Sequence, residues 1–299
     1  MLIKVLGSAA GGGFPQWNCR CALCQLAWSK DRNVRPRTQS SLAITADGEH
    51  WLLVNASPDL RQQIIETPAL HPRHGQRHSP ISAVMLTNGD IDHIAGLLTL
   101  REQQRFDLFA TAPTLSQLAA NSVFRVLNPE LVRSREMQLD NRLELSFGLS
   151  VVPFAVPGKA PLYDEGAHVE IGTETGTTIG LEIMCGNVRA MYIPGCAQVT
   201  PQLKQRMAGA DALLFDGTTY TDDEMVRLGL SHKTAWRMGH VPMSGPNGSL
   251  AMLADAGVRQ KVYLHINNTN PVLVEDSPER RAVEQAGWQV AHDGMEITL

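Results

Sequence analysis

Short apolar runs closed by Gly, Pro, Asn or Asp recur along the whole chain, and they constrain the fold more than any other feature. They predict strands at Leu2–Leu6, Ser41–Thr45, Trp51–Asn55, Ile81–Thr87, Leu149–Val156, Thr178–Met184, Val188–Ile193, Ala212–Asp216, Lys261–Ile266 and Gln289–Ala291. Runs this short, bounded by turn formers, suit strands of a layered core. Helix signals fall between them. Ser57-Pro58, Thr200-Pro201 and Ser277-Pro278 each place a hydroxyl at the N-cap and Pro at the first helical position. The hydroxyl accepts an orphan N–H, and Pro loses nothing there because its missing N–H would be unpaired anyway. Further helices are predicted over Ala95–Gln104, Pro113–Ala120 and Ser249–Ala256. Early strands are joined by turns such as Ala46-Asp47-Gly48, whereas later ones alternate with helices. That mixture predicts an α/β or α+β layered fold. Composition shifts nowhere enough to mark a linker, and His71–Ser79 is the most loop-like stretch, so residues 1–299 read as one domain.

The 299 residues suffice for a full core, and 43% apolar with 19% charged residues is too apolar for disorder. A net charge of −4 argues against a dedicated nucleic-acid binder, which is usually basic. No apolar run reaches the roughly 20 residues needed to span a bilayer, and the apolar start is too short for a signal-peptide core. The expected location is the cytoplasm.

Three of the five cysteines fall within six residues, at Cys19, Cys21 and Cys24, directly after the first strand and a run of glycines. A dinucleotide-binding reading of that glycine run fails, because Pro15 and the cysteine loop stand where its helix should begin. C-x-C-x2-C can wrap a tetrahedral Zn²⁺ with a fourth ligand from elsewhere, and a thiolate-rich closed site is structural rather than catalytic. Free buried thiols are the competing reading. Cys185 and Cys196, on or after apolar strands, read as small buried hydrophobes.

A second cluster, Asn88-Gly89-Asp90-Ile91-Asp92-His93, lies between an apolar strand and an apolar helix-like stretch. Taken alone it could be a solvated turn. Two distant residues strengthen a metal reading. Asp216 ends a buried strand, where a carboxylate needs a partner, and His265 precedes the polar loop Asn267–Asn270. His240, in a loop before a predicted helix, reads equally well as a site residue or an ordinary loop histidine. His71, His74 and His78, mixed with Arg73 and Arg77, read as solvated surface.

The strings VLGSAAGGGFPQWNCRCALC, RTQSSLA, NASPDLR, LLFDGT, MGH, HINNTNP and DSPER run from one end of the chain to the other. Through them the chain resembles the metallo-β-lactamase superfamily, and within it the branch that serves pyrroloquinoline quinone (PQQ) biosynthesis. The resemblance implies an αββα sandwich of two mixed β-sheets flanked by helices. The superfamily's metal motif is H-x-H-x-D-H, followed by a third His, a bridging Asp and a last His. In this sequence the first two His positions are Asn88 and Asp90. Asp92 and His93 keep the Asp-His pair, and the segment Ala155–Lys159 lacks the third His. Asp216 matches the bridging Asp and His265 the last His. The first metal site thus loses its three His, while the second keeps its ligands.

Two His with carboxylates and open positions suit non-haem Fe²⁺ and O₂ chemistry, and a two-metal hydrolase needs both ions. For members of this branch the resemblance implies iron-dependent hydroxylation of the tyrosine-derived part of a cross-linked Glu–Tyr intermediate. That intermediate derives from the precursor peptide PqqA. Metal would be held by Asp92, His93, Asp216 and His265. Asp90 would be a further ligand or an orienting group, and His240 a proton donor or substrate contact. Other PQQ biosynthesis proteins are expected partners, and a homodimer is compatible with the sequence. Related phosphodiesterases close their cysteine-bound zinc with a His three residues after the last active-site His. That position is Asn268 here, a poor zinc ligand, so either His265 serves the zinc instead of the active site, or Asn268, water or another residue closes the cysteine site. Two other functions compete: a non-catalytic carrier that helps move PQQ or its precursor to the periplasm, and a zinc-dependent hydrolase.

Overall fold

The computed structural model describes residues 1–166 and 169–299. Two seven-stranded sheets face one another. The first is built from β1 (Leu2–Gly7), β2 (Ser41–Thr45), β3 (Trp51–Val54), β4 (Ile81–Met85), β5 (Phe106–Ala110) and β6 (Val132–Glu136). The second contains β7 (Leu143–Glu144), β8 (Ser150–Ala155), β9 (Ile179–Cys185), β10 (Val188–Ile193), β11 (Ala212–Asp216), β12 (Gln260–Leu264) and β13 (Trp288–Val290). The last strand, β14 (Glu296–Thr298), returns to the first sheet beside β1. The orders are β14-β1-β2-β3-β4-β5-β6 and β13-β12-β11-β10-β9-β8-β7. In each sheet the strands pair antiparallel on one side and parallel on the other, the change falling at β3 and at β10.

Alternation along the strands explains the sandwich. Ile3, Val5, Leu42, Ile44, Leu52 and Val54 point into the core between the sheets and meet Leu181, Ile183, Leu214 and Val262 of the second sheet. Their neighbours Leu6, Ala43, Trp51 and Leu53 pack on the outer layer of the first sheet. Leu213, Phe215 and Tyr263 pack under the outer layer of the second. Successive side chains on a strand point to opposite faces, so strands apolar on both faces need a cover on both sides, which the helices provide.

Most predicted strands are present with small shifts at their ends. Four strands were not predicted, β5, β6, β7 and β14, although β5 carries the apolar run Phe106-Asp107-Leu108-Phe109-Ala110. Of β6 only Val132 is buried, and its Arg133 and Arg135 lie on an exposed sheet edge, where charge discourages further pairing. Thr200 and Ser277 cap their helices as expected, accepting hydrogen bonds from Leu203 N at 3.1 Å and Arg280 N at 3.0 Å. Ser57 does not. The helix begins at Leu60, and the Ser57 hydroxyl instead accepts from Asp59 N at 3.2 Å and donates to Gln63 Oε1 at 3.0 Å. The helix expected over Ala95–Gln104 starts earlier, at Ile91, and tightens into a 3₁₀ segment over Ala95–Arg101. That over Ser249–Ala256 ends at Met252. Cys196 is fully buried, but Cys185 is only half-buried, because it ends β9 at the turn into β10. No helix among the described residues is long and apolar enough to cross a membrane.

Candidate metal centre

Segments that follow six different strands converge on one cavity of about 390 Å³. Gly11 follows β1, Asp90 follows β4, Lys159 follows β8, Gly195 follows β10, Thr218 follows β11 and His265 follows β12. Carboxyl ends of strands are where a sheet can aim loop side chains at a common point.

His93 sits on the short helix Ile91–Ile94 and is buried. Its Nδ1 lies 2.6 Å from Asn88 Oδ1. The Asn88 amide is oriented by its other end, where Nδ2 donates to Asp90 Oδ2 at 2.9 Å. Asn88 Oδ1 can only accept, so His93 Nδ1 carries the proton and Nε2 carries a lone pair. That buried Nε2 has no hydrogen-bond partner.

His265 is fixed in a similar way by Thr218. The Thr218 hydroxyl donates to Asp216 Oδ1 at 2.7 Å and so accepts from His265 Nδ1 at 2.9 Å. His265 Nε2 faces Asp92 Oδ2, 3.2 Å away; against the opposing effect of burial, the hydrogen bond to Asp92 raises the imidazole's affinity for a proton, which a cation bound here would displace. The His265 backbone lies in the left-handed region at φ +57°, which is uncommon for a residue with a side chain. Hydrogen bonds from Ile266 N to Ser8 O (2.9 Å) and from Asn267 N to Thr218 O (2.9 Å) hold it there.

Two imidazole nitrogens and a carboxylate oxygen therefore face one point, all three electron-pair donors once the proton shared by His265 and Asp92 is displaced. Asp92, His93 and His265 bring their ligand atoms within 4.8 Å of one another. A proton on His265 would answer Asp92 but leave His93 Nε2 orphaned, whereas a cation satisfies all three. The donor set fits a 2-His-1-carboxylate metal.

Asp216 also lies here, and Asp216, His240 and His265 form a second close group. The Asp216 carboxylate is completely buried and accepts four hydrogen bonds: from Cys196 N (3.0 Å), Thr218 N (3.0 Å), Thr218 Oγ1 (2.7 Å) and His240 Nδ1 (2.7 Å). His240 thereby spends Nδ1 on Asp216 and leaves Nε2 for the cavity it lines. Burial, and then Asp92 beside it, pushes Asp90 up to about 6. Burial pulls His93 down to about 4, which keeps it neutral and ready to ligate.

The cysteines form a separate centre. Cys19, Cys21 and Cys24 bring their sulfurs within 4.8 Å of one another, and none is in a disulfide. Burial pushes Cys24 up to about 12, so a cation is needed to hold three thiolates together. Asn268 is buried against them, its side-chain amide 3.3 Å from both Cys19 Sγ and Cys24 Sγ. His265 belongs to the other cluster. His71, His74 and His78 lie on the loop after the 3₁₀ turn Pro68–Leu70, away from both centres, with His74 exposed. The residues that pattern reading passed over are Thr218 and Lys159. Thr218 stands two residues after Asp216, and Lys159 occupies the segment from which the third superfamily His is missing.

This fold and its paired ligand clusters define a class, and residues 50–266 match the model of the Beta-lactamase superfamily domain, so the chain belongs to that superfamily. Within it the chain belongs to the coenzyme PQQ synthesis protein B family. It is 61% identical over 295 residues to the coenzyme PQQ synthesis protein B of Methylobacterium nodulans, covering 99% of each chain. The crystal structure of Zn(2+)-bound PqqB from Methylobacterium extorquens superposes with a TM-score of 0.99 at 59% identity, covering 100% of both chains. A diphosphatase from the PhnP family shares the fold at 23% identity, with a TM-score of 0.70 over 99% of this chain and 96% of that one.

Proposed function

We propose that this chain is an iron- and O₂-dependent hydroxylase of PQQ biosynthesis. Its substrate on this reading is the tyrosine-derived part of the PqqA-derived Glu–Tyr intermediate. The observation that carries it is the orphaned His93 Nε2, aimed with His265 Nε2 and Asp92 Oδ2 at one point. Fe²⁺ held there, with positions left open, would supply O₂ activation; one oxygen atom of O₂ would enter the ring and the other would leave as water, with two electrons from an external reductant.

The residues around it argue for one metal rather than two. Asn88 spends its amide on His93 and Asp90 instead of offering an imidazole. Lys159 lines the cavity where another superfamily ligand would come, and an ammonium there opposes a second cation. Asn88 and Lys159 therefore weigh against the second ion that the zinc-dependent hydrolase reading needs.

Asn88 and Thr218 set the tautomers of His93 and His265. Asp216 works through Thr218 and His240 as a positioning residue, and His240 Nε2 faces the cavity as a base or proton carrier for the ring hydroxyl. The cysteine centre holds a structural Zn²⁺. Asn268 closes it through Oδ1 once the amide is turned, since the two ends of an amide differ only by the network assigned to them.

Anaerobic Fe²⁺ titration of the metal-depleted chain, with zinc counted separately, tests the reading. One zinc and one iron, with O₂ uptake on a tyrosine-containing substrate, is the expected result. Zinc alone, with no iron and no uptake, would favour the carrier. Two zinc ions at the Asp92 cluster would restore the hydrolase.

A further inference from the structure

The mouth of the cavity carries more positive charge than its own residues use. Lys159, Lys233 and Arg237 surround a single carboxylate, Glu165. Arg237 grips Glu165 through both terminal nitrogens, at 3.0 and 3.4 Å, and Lys159 Nζ approaches its other face at 3.0 Å. Lys233 Nζ lies 4.0 Å from Glu165, too far for a hydrogen bond, and makes none with its side chain among the described residues. Lys159 spends one further N–H on Ala160 O at 3.0 Å, which leaves one of its three donors free. Both lysines line the same cavity as Asp92, His93 and His265.

Deeper in, Asp90 and Asp92 are the two carboxylates on the cavity wall. The buried Asp216 beside them brings the carboxylates to three, so a divalent ion on Asp92, His93 and His265 leaves one negative charge there. Lys159, Lys233 and Arg237 against Glu165 carry a surplus of two at the mouth, and one of these stays uncompensated. A low-dielectric cleft focuses such a field on an incoming ligand.

Resting on the metal-centre reading above, we infer that Lys233 and Lys159 form a carboxylate receptor that selects an anionic substrate and orients it over the metal. Lys233 is the primary contact and Lys159 the second. Glu165 is the counter-ion that, with Arg237, keeps Lys159 at the rim when no ligand is bound. The substrate class is an aromatic amino-acid derivative with at least one free carboxylate on the side away from the reacting ring.

Two probes test this on the full chain: N-acetyl-glutamyl-tyrosine and its uncharged bisamide. Binding is followed by calorimetry with the metal-depleted and the Fe²⁺-loaded protein under anaerobic conditions. The acid is expected to bind about tenfold or more tighter than the bisamide, as charge-assisted contacts require, and the preference should shrink with added salt. Lys233→Met and Lys159→Met, which keep most of the side-chain length, should each push the acid-to-amide ratio towards one, with Lys233→Met the larger effect. A ratio near one in the unmodified chain, a ratio unchanged in both variants, or no binding of either probe overturns the receptor. Iron content, measured on the same samples, separates the two readings. Normal Fe²⁺ uptake with a ratio of one removes the receptor and leaves the metal centre. No Fe²⁺ uptake with the ratio intact does the reverse.

Discussion

The two metal-ligand clusters share their neighbours in the fold and differ in how they are made. The thiols come from six consecutive residues after β1, Cys19 and Cys21 on the loop and Cys24 in the first turn of the helix Ala22–Trp28, and Asn268 packs on them from the loop after β12. Asp92 and His93 come from the short helix Ile91–Ile94 after β4, and His265 from the start of that same loop after β12. His265 and Asn268 are three residues apart and face different centres. In the first cluster Cys19 and Cys24 are buried and Cys21 is half-buried, whereas the second opens into a cavity. A closed set of soft donors suits a structural ion, and an open set of imidazole and carboxylate suits a reactive one. Because His265 and Asn268 share one loop, a metal ion on the cysteines would also hold the backbone that keeps His265 in its left-handed conformation.

Substitutions at the two centres should therefore separate stability from turnover, and the largest effect is expected at the open one. Asp92→Ala removes the only carboxylate of the proposed triad. Iron binding and turnover should fall together, by more than the ~10–100-fold typical of losing an outer hydrogen-bond partner, while the melting temperature of the zinc-loaded chain stays nearly unchanged. Metal analysis and O₂ uptake read the first, and thermal denaturation the second. If the melting temperature collapses instead, the Asp92 cluster is part of the scaffold and the comparison breaks.

Cys24→Ala should show the opposite pattern. Zinc content should drop and unfolding should become easier by more than about 2 kcal/mol, because loss of a structural metal is among the changes that destabilise most. Molecules that remain folded should still take up iron. Denaturant melts with and without a zinc chelator check this, the chelator having little further effect on the variant.

The same contrast explains what could be read without coordinates. The cysteine loop is contiguous, so its spacing alone announces a metal. The strands of the core were legible because most are apolar on both faces; β6 and β14 were not, because an edge strand such as Val132–Glu136 buries one face at most. At the open centre Asp92 and His93 carry a local signal, but His265 joins them across 172 residues of chain only through the sheet order. Thr218 and Asn88 carry no signal as ligands at all. Their work is to fix which nitrogen of an imidazole bears the proton, and that is visible only as hydrogen-bond geometry. The Ser57-Pro58 signature misplaced a helix start because the serine hydroxyl had a better partner in Gln63.

Those orienting groups give a middle-sized effect that sharpens the comparison. Asn88→Ala and Thr218→Val each release one imidazole to the wrong tautomer. Iron affinity should weaken by roughly 10–100-fold in each, with zinc content unchanged. Thr218→Ser should restore most of the loss, since its hydroxyl can repeat the bridge between Asp216 and His265. Failure of the serine variant to recover would mean that Thr218 acts through packing rather than through its hydrogen bonds.

The smallest effect is expected at the cavity mouth, and it is read through pH. Hydrogen bonding to Arg237, and then Lys159, pulls Glu165 from its ordinary 4.5 down to about 2. A carboxyl whose folded value is depressed adds stability that is fully present above about 4.5 and is lost as pH falls towards 2. The stability advantage of the unmodified chain over Glu165→Gln should therefore hold constant from pH 7 to pH 5, shrink between 4.5 and 2, and vanish below that. Denaturant melts of the two proteins across this range measure it. Neither metal cluster should respond to Glu165→Gln at pH 7, so a change in iron or zinc content there would show that the mouth and the metal centre are one cooperative unit rather than two.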